Sequence, residues 1–131
     1  MGEKIEAGPN QQNLEEICDI ILNLDRRIRF VEIAVKAKKF TKTRPGLISN
    51  LTAEETEESI NDSLARWETR KKLDHKLGES VYALAEYKNV KRITIPVNHN
   101  GLILVTLDSE GFHEVIIKEI IEIKEMINWN I

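Results

Sequence analysis

LTAEETEESINDSLARWETRKKLD, residues 51–74, reads as one long helix, and the rest of the chain arranges itself on either side of it. Thr52 followed three positions later by Glu55 is a capping box. The threonine oxygen takes an orphan N–H of the first turn, and the glutamate reaches back to the Thr52 N–H. Ala53, Thr56, Ile60, Leu64 and Trp67 recur at spacings of three and four, which makes a single apolar stripe. Glu54, Glu55, Glu57, Glu58 and Asp62 crowd the first half, and Arg66, Arg70, Lys71 and Lys72 the second. That order suits the helix dipole, at about 0.3–1 kcal/mol per well-placed charge. Gly78 helps to end the segment. The basic end reads as a solvated, dipole-matched terminus in preference to an anion or nucleic-acid patch.

Composition bounds the rest. A chain of 131 residues with 41% hydrophobic and 31% charged residues is one domain with a real core, not a disordered segment. A net charge of -3 argues against a dedicated nucleic-acid binder. The single cysteine, Cys18, excludes a disulfide framework and a multi-thiol zinc site. It falls on an apolar helix stripe, as a buried structural thiol does. No apolar run approaches the roughly 20 residues needed to span a bilayer. The start MGEKIEAGPNQQ has no apolar centre, so no secretory signal is expected and the location expected is cytoplasmic.

Residues 1–12 are polar and are expected to be a flexible arm, with a single domain over 13–131. Asn13 can cap a short first helix with Glu16 at the box position, and Leu14, Ile17, Cys18, Ile21 and Leu24 form its stripe. Over 26–37, Val31, Ile33 and Val35 alternate with Glu32, Ala34 and Lys36, which is a strand. Phe30 and Ala34 make its second face partly apolar, as on an inner strand. Phe40 sits on a weaker second strand, and Pro45-Gly46 is type II turn chemistry. Lys36, Lys38, Lys39, Lys42 and Arg44 are the candidate basic patch. They read as a charged edge that blocks aggregation in preference to a phosphate or nucleic-acid contact.

Three strand-like runs follow the central helix. Over 81–87, Ala83 and Ala85 share one face, and Tyr82 and Leu84 the other. Over 91–97, Ile93, Ile95 and Val97 oppose Arg92 and Thr94, and Pro96 requires an unpaired side or a bulge. Asn98-His99-Asn100-Gly101 is a hairpin loop, and 102–108 is apolar nearly throughout, like a central strand. A last helix is expected over 112–128, with Ile116, Ile120, Ile123 and Ile127 in one row widened by Val115, Ile117 and Ile121.

The order α-β-β-α-β-β-β-α fits an α+β, three-layer α/β/α sandwich around a five-stranded antiparallel sheet. The first and last helices would cover one face and the central helix the other. On this order over residues 13–128, and on the stretches LTAEETEESINDSLARWETRKKL, YALAEYKNVKRITIPV and LILVTLD, the chain resembles the Roadblock/dynein light chain family, a profilin-like group with longin relatives and archaeal members. The resemblance implies a non-enzymatic protein-interaction module: a homodimeric scaffold, or a regulator of a small Ras-like GTPase. Dimers in that family form through the central helix and the strand after it, here 80–87. The candidate interface is therefore Ser59, Ser63, Arg66, Trp67, Arg70, Tyr82 and Leu84. Ser59, Asn61, Ser63, Arg66 and Arg70 would give it a polar helix face.

No chemistry competes with this. His75, His99 and His113 lie on separate segments without metal-ligand spacing, the glycines make no phosphate loop, and no Ser-His-Asp set can be placed. No catalytic residue, metal or cofactor is expected. A PAS- or GAF-like small-molecule sensor has a similar element order, with a pocket between sheet and central helix near Trp67. Nucleic-acid binding through 36–44 and 66–76 is the weakest reading.

Overall fold

The computed structural model describes residues 5–6, 11–98 and 101–129. In chain order the elements are β1 (Ile5–Glu6), α1 (Gln11–Leu22), β2 (Ile28–Val35), β3 (Lys38–Thr43), α2 (Ala53–Lys71), α3 (Asp74–Leu77), β4 (Ala83–Glu86), β5 (Val90–Val97), β6 (Gly101–Asp108), α4 (His113–Glu125) and β7 (Ile127–Asn128). Strands β3-β2-β6-β5-β4 form one five-stranded sheet, antiparallel throughout. Alternation along β2, β5 and β6 gives the sheet two apolar faces. Val31, Ile33, Ile93, Ile95, Ile103 and Val105 pack under α1 and α4, while Ala34, Leu102 and Leu104 pack under α2 with Ile60 and Trp67. The three-layer sandwich expected from the element order is the one observed.

Local signals formed as read. The capping box of α2 is complete: the Glu55 N–H donates to Thr52 Oγ1 at 3.1 Å, and the Thr52 N–H donates to Glu55 Oε1 at 2.9 Å. Gly46 has φ +87°, and the Leu47 N–H closes the turn on the Arg44 carbonyl at 3.1 Å, as the Pro45-Gly46 pair requires. Gly78 ends α3 at φ +93°. Pro96 faces Leu102 on β6, and β4 stops at the Ala83–Thr94 pair, so nothing pairs with Pro96 on that side among the described residues. Residues 99 and 100 of the hairpin loop, His99 among them, lie outside the described residues.

Several boundaries moved. Helix α1 starts at Gln11, so Asn13 sits inside its first turn and is not the cap. Helix α4 stops at Glu125, not at residue 128. Ile127–Asn128 turns extended and pairs in parallel with Ile5–Glu6, which places Ile127 in the core at 5% exposure. The expected flexible arm therefore contains a paired segment, and its residues 1–4 and 7–10 lie outside the described residues. Val115 does not widen the α4 stripe. It is 59% exposed, because Ile116, Ile117 and Ile120 already fill the surface facing the sheet.

The phase of α2 also differs from the expectation. Its buried residues are Ile60, Ser63 and Trp67, with Leu64 only half-buried and Ala53 exposed. Both stripes have helical spacing. The small Ser63 lets the helix lie close to the sheet, and Leu64 covers the flank.

Candidate functional site

The sequence-predicted interface residues do not share one outward surface. Trp67 is 3% exposed, and its indole N–H donates to Thr94 Oγ1 at 2.9 Å. Ser63 is 5% exposed. Ser59 is turned inward as well, where its Oγ accepts from Arg92 Nη1 at 2.6 Å. The α2 side that was expected to be a polar dimer face is therefore partly its sheet-facing side. Arg66 is exposed, and Arg70 lies over the Trp67 ring at 4.9 Å from its centroid.

The two residues from the following strand point the opposite way. Leu84 packs with the core under α1 and α4, and Tyr82, about half exposed, borders an open trough of about 340 Å³ along α4 with Ile117 and Ile121. Ala83 and Ala85 face the α2 side, where they border a recess of about 80 Å³ lined also by Ser63, Arg66, Arg70, Tyr87, Arg92 and Thr94. The structure thus joins Arg66 and Arg70 to the inner wall of β4, and sends Tyr82 and Leu84 to the other face.

Strand β4 is a sheet edge, paired only with β5 among the described strands. The Tyr87 N–H donates to the Val90 carbonyl at 2.8 Å. Alternation then directs the N–H groups of Ala83 and Ala85 to β5 and those of Leu84 and Glu86 outward. Val81, Tyr82 and Tyr87 beside this edge are each exposed by about half. The opposite edge, β3, is defended by charge: Lys38, Lys39 and Lys42 all lie on it.

The candidate basic patch is divided. Lys39 pairs with Glu57 on the α2 side, and Lys42 pairs with Asp19 on the α1 side. Arg44 is spent internally, since its guanidinium donates to the carbonyls of Ile28, Leu22 and Asp25. Lys36 adopts φ +57° at the β2–β3 turn, next to Lys38. An Arg44→Ala substitution strips three backbone carbonyls of a charged donor at once. We expect it to lower stability by about 2–3 kcal/mol, measured by urea unfolding, with Arg44→Lys recovering only part.

Two groups that the sequence offers only as polar strand positions, Glu32 and Arg92, turn out to be wholly or half-buried. Glu32 on β2 is 2% exposed, and its Oε1 has no hydrogen-bond partner among the described residues. Its carboxyl is pushed up to about 7, chiefly by burial, with Lys39 and Arg92 opposing the rise and Glu57 adding to it. Burial is also the main cause holding Arg92 below the usual guanidinium range, and Arg66 adds to it. Their signal was the strand pattern: both are charged residues in strands whose neighbouring positions on the same face are apolar or small.

Other chemistry is quiet. Cys18 is fully buried, and its thiol is pushed up to about 12, chiefly by burial, so it is not a nucleophile. His75 is exposed, and His113 Nδ1 lies 3.1 Å from Lys91 Nζ. Among the described residues no group of His, Cys, Asp and Glu could hold a metal ion, and no helix is long and apolar enough to cross a membrane. Beside α2, the recesses of about 30 and 80 Å³ fall short of the roughly 300 Å³ that a small-molecule site occupies.

No family model and no curated protein sequence matches the chain. Solved structures do. The gliding protein MglB of Thermus thermophilus superposes with a TM-score of 0.67 at 10% identity, covering 96% of this chain and 97% of that one. MglB of Myxococcus xanthus gives 0.66 at 13% identity, over 85% of this chain and 88% of that one. A Roadblock/LC7 domain from Streptomyces avermitilis gives 0.59 at 8% identity, over 84% of this chain and 90% of that one. At such identities the shared property is the arrangement of helices and sheet, and in that arrangement this chain has the Roadblock-like fold.

Proposed function

We propose that the chain is a non-enzymatic interaction module that pairs with a second copy of itself and offers the paired surface to a protein partner, a small Ras-like GTPase being the partner class that its fold resemblance implies. The observation that carries this reading is the open edge of β4, with outward N–H groups at Leu84 and Glu86 and exposed Val81, Tyr82 and Tyr87 around it. Edge strands with no blocking lysine, proline or bulge invite another strand. An antiparallel partner strand there joins two five-stranded sheets into one. Arg66 and Arg70 on the neighbouring helix flank the junction, while Trp67, Ser63 and Ser59 support it from inside.

Light scattering tests the pairing. We expect a mass twice the 15.1 kDa of one chain. Glu86→Pro removes an outward N–H and leaves the β4–β5 bonds of Ala83 and Ala85 in place, so it should yield a folded monomer. A wild-type chain that stays monomeric at high concentration sinks the proposal. So does a Glu86→Pro variant that stays dimeric.

A further inference from the structure

Three arginines meet at one recess. Arg66 and Arg70 on α2 and Arg92 on β5 all line the slot between α2 and β4, and none forms an ion pair among the described residues. We propose that this slot binds a phosphate-sized oxyanion, either free phosphate or the phosphate end of a small phosphomonoester. The inference does not rest on the pairing of two copies.

The slot is concave and about 80 Å³ in volume, room for a group a few waters in size at about 30 Å³ per water. Small residues create it: Ala83 and Ala85 form its strand wall, where any larger side chain would fill it. Two of its cations are already positioned. Arg92 is half-buried and tethered through Nη1 to Ser59 Oγ at 2.6 Å, which leaves its other N–H groups as donors. Arg70 lies over the Trp67 ring, 4.9 Å from its centroid. Preset guanidinium forks match the geometry of phosphate oxygens.

The uncharged donors agree. Thr94 Oγ1 accepts the indole N–H of Trp67, so its own O–H remains to donate, and the hydroxyls of Ser63 and Tyr87 belong to residues of the same lining. Crowding of like charge is unfavourable in a half-buried setting: burial chiefly lowers Arg92, and the neighbouring Arg66 adds to it. Two acidic groups act on Arg92, the Tyr87 phenol within the slot lining and the Glu32 carboxyl outside it, so no carboxylate lines the slot. Three guanidiniums suit a dianion better than a single carboxylate.

The test is an amide NMR titration of the full chain with sodium phosphate at constant ionic strength. We expect saturable shifts centred on Ser63, Arg66, Ala85, Arg92 and Thr94. Arg66→Gln should weaken binding about tenfold or more, the loss of one charge-assisted contact. Ala85→Leu fills the slot without changing charge at an exposed position, and it should abolish saturation. Glycerol phosphate giving the same footprint assigns the site to an esterified phosphate, and phosphate alone giving it assigns the site to the free ion. Shifts that never saturate overturn the proposal, as do an equal response to acetate and unchanged binding by Ala85→Leu.

Discussion

Replacing Trp67 with alanine should lower the unfolding free energy by about 3–5 kcal/mol, the usual range for a buried large aromatic. The side chain is 3% exposed and joins Ile60 to Ala34, Leu102 and Leu104 across the α2–sheet boundary. That second core is small, so few other contacts can collapse into the vacancy. The variant also orphans Thr94 Oγ1, which loses the indole N–H 2.9 Å away, and it removes the surface on which Arg70 rests. Trp67→Phe separates these effects. It keeps most of the packing and deletes the hydrogen bond, so about 1–2 kcal/mol is expected. Urea unfolding followed by circular dichroism reads both. A loss under about 1 kcal/mol for Trp67→Ala, well below the usual range, would show that α2 is held chiefly by its flanks. Because α2 and β4 frame both the proposed pairing edge and the arginine slot, the alanine variant should also weaken each of those functions at temperatures where it still folds.

How far the sequence could be read follows from the range of the interactions involved. The capping box at Thr52 and Glu55, the Pro45-Gly46 turn and the alternation in β2, β5 and β6 are contacts within a few residues, and their chemistry is written in their spacing. The phase of α2 is different. Ile60–Leu64–Trp67 and Ile60–Ser63–Trp67 are both legal helical stripes, and the sheet beneath decides between them by admitting the smaller residue. Hydrophobicity alone favours Leu64, which does pack half-buried against that core, and it does not announce Ser63 as the more buried of the two. The β1–β7 pairing joins Ile5 to Ile127 across nearly the whole chain, and no local pattern announces a two-residue parallel ladder. The candidate interface suffered from the same phase error. Residues chosen as outward, Ser59 and Ser63, are the ones pressed toward the sheet, whereas Arg66 and Arg70 kept their place on the rim. Arg92 was assigned to the correct face of its strand, but its meeting with Arg66 and Arg70 depends on how α2 crosses the sheet.

Glu32 supplies the other large effect, and its sign can be worked out. The carboxyl is buried under α2 with Oε1 unpaired among the described residues, and burial is the chief cause raising it from the ordinary glutamate range near 4.5 to about 7. The groups that act on it are Lys39 from β3, Glu57 from α2 and Arg92 from β5. Between these two pH values the folded chain holds a proton on Glu32 that the unfolded chain has released. Stability therefore falls as pH rises through this window, and the loss is complete once Glu32 ionises in the folded state above about 7. The full effect is on the order of 3 kcal/mol, since each pH unit separating the folded and unfolded titrations is worth about 1.4 kcal/mol. Glu32→Gln removes the charge and keeps the shape. Its stability should match that of the wild type near pH 4.5, the ordinary value for a glutamate, then exceed it progressively. The gain should reach about 2 kcal/mol at about pH 8, after allowing for an imperfectly paired amide. The difference between the two unfolding curves isolates Glu32 and the charges coupled to it, because titrating groups that do not act on Glu32 cancel. Parallel curves across that whole range would mean that Glu32 reaches water or a cation in solution and is not the buried acid seen under α2. Diverging curves would place an acid that ionises near neutrality beneath the helix that frames the pairing edge. Loosening of α2 above about pH 7 would then weaken the dimer as well, in the wild type and not in Glu32→Gln.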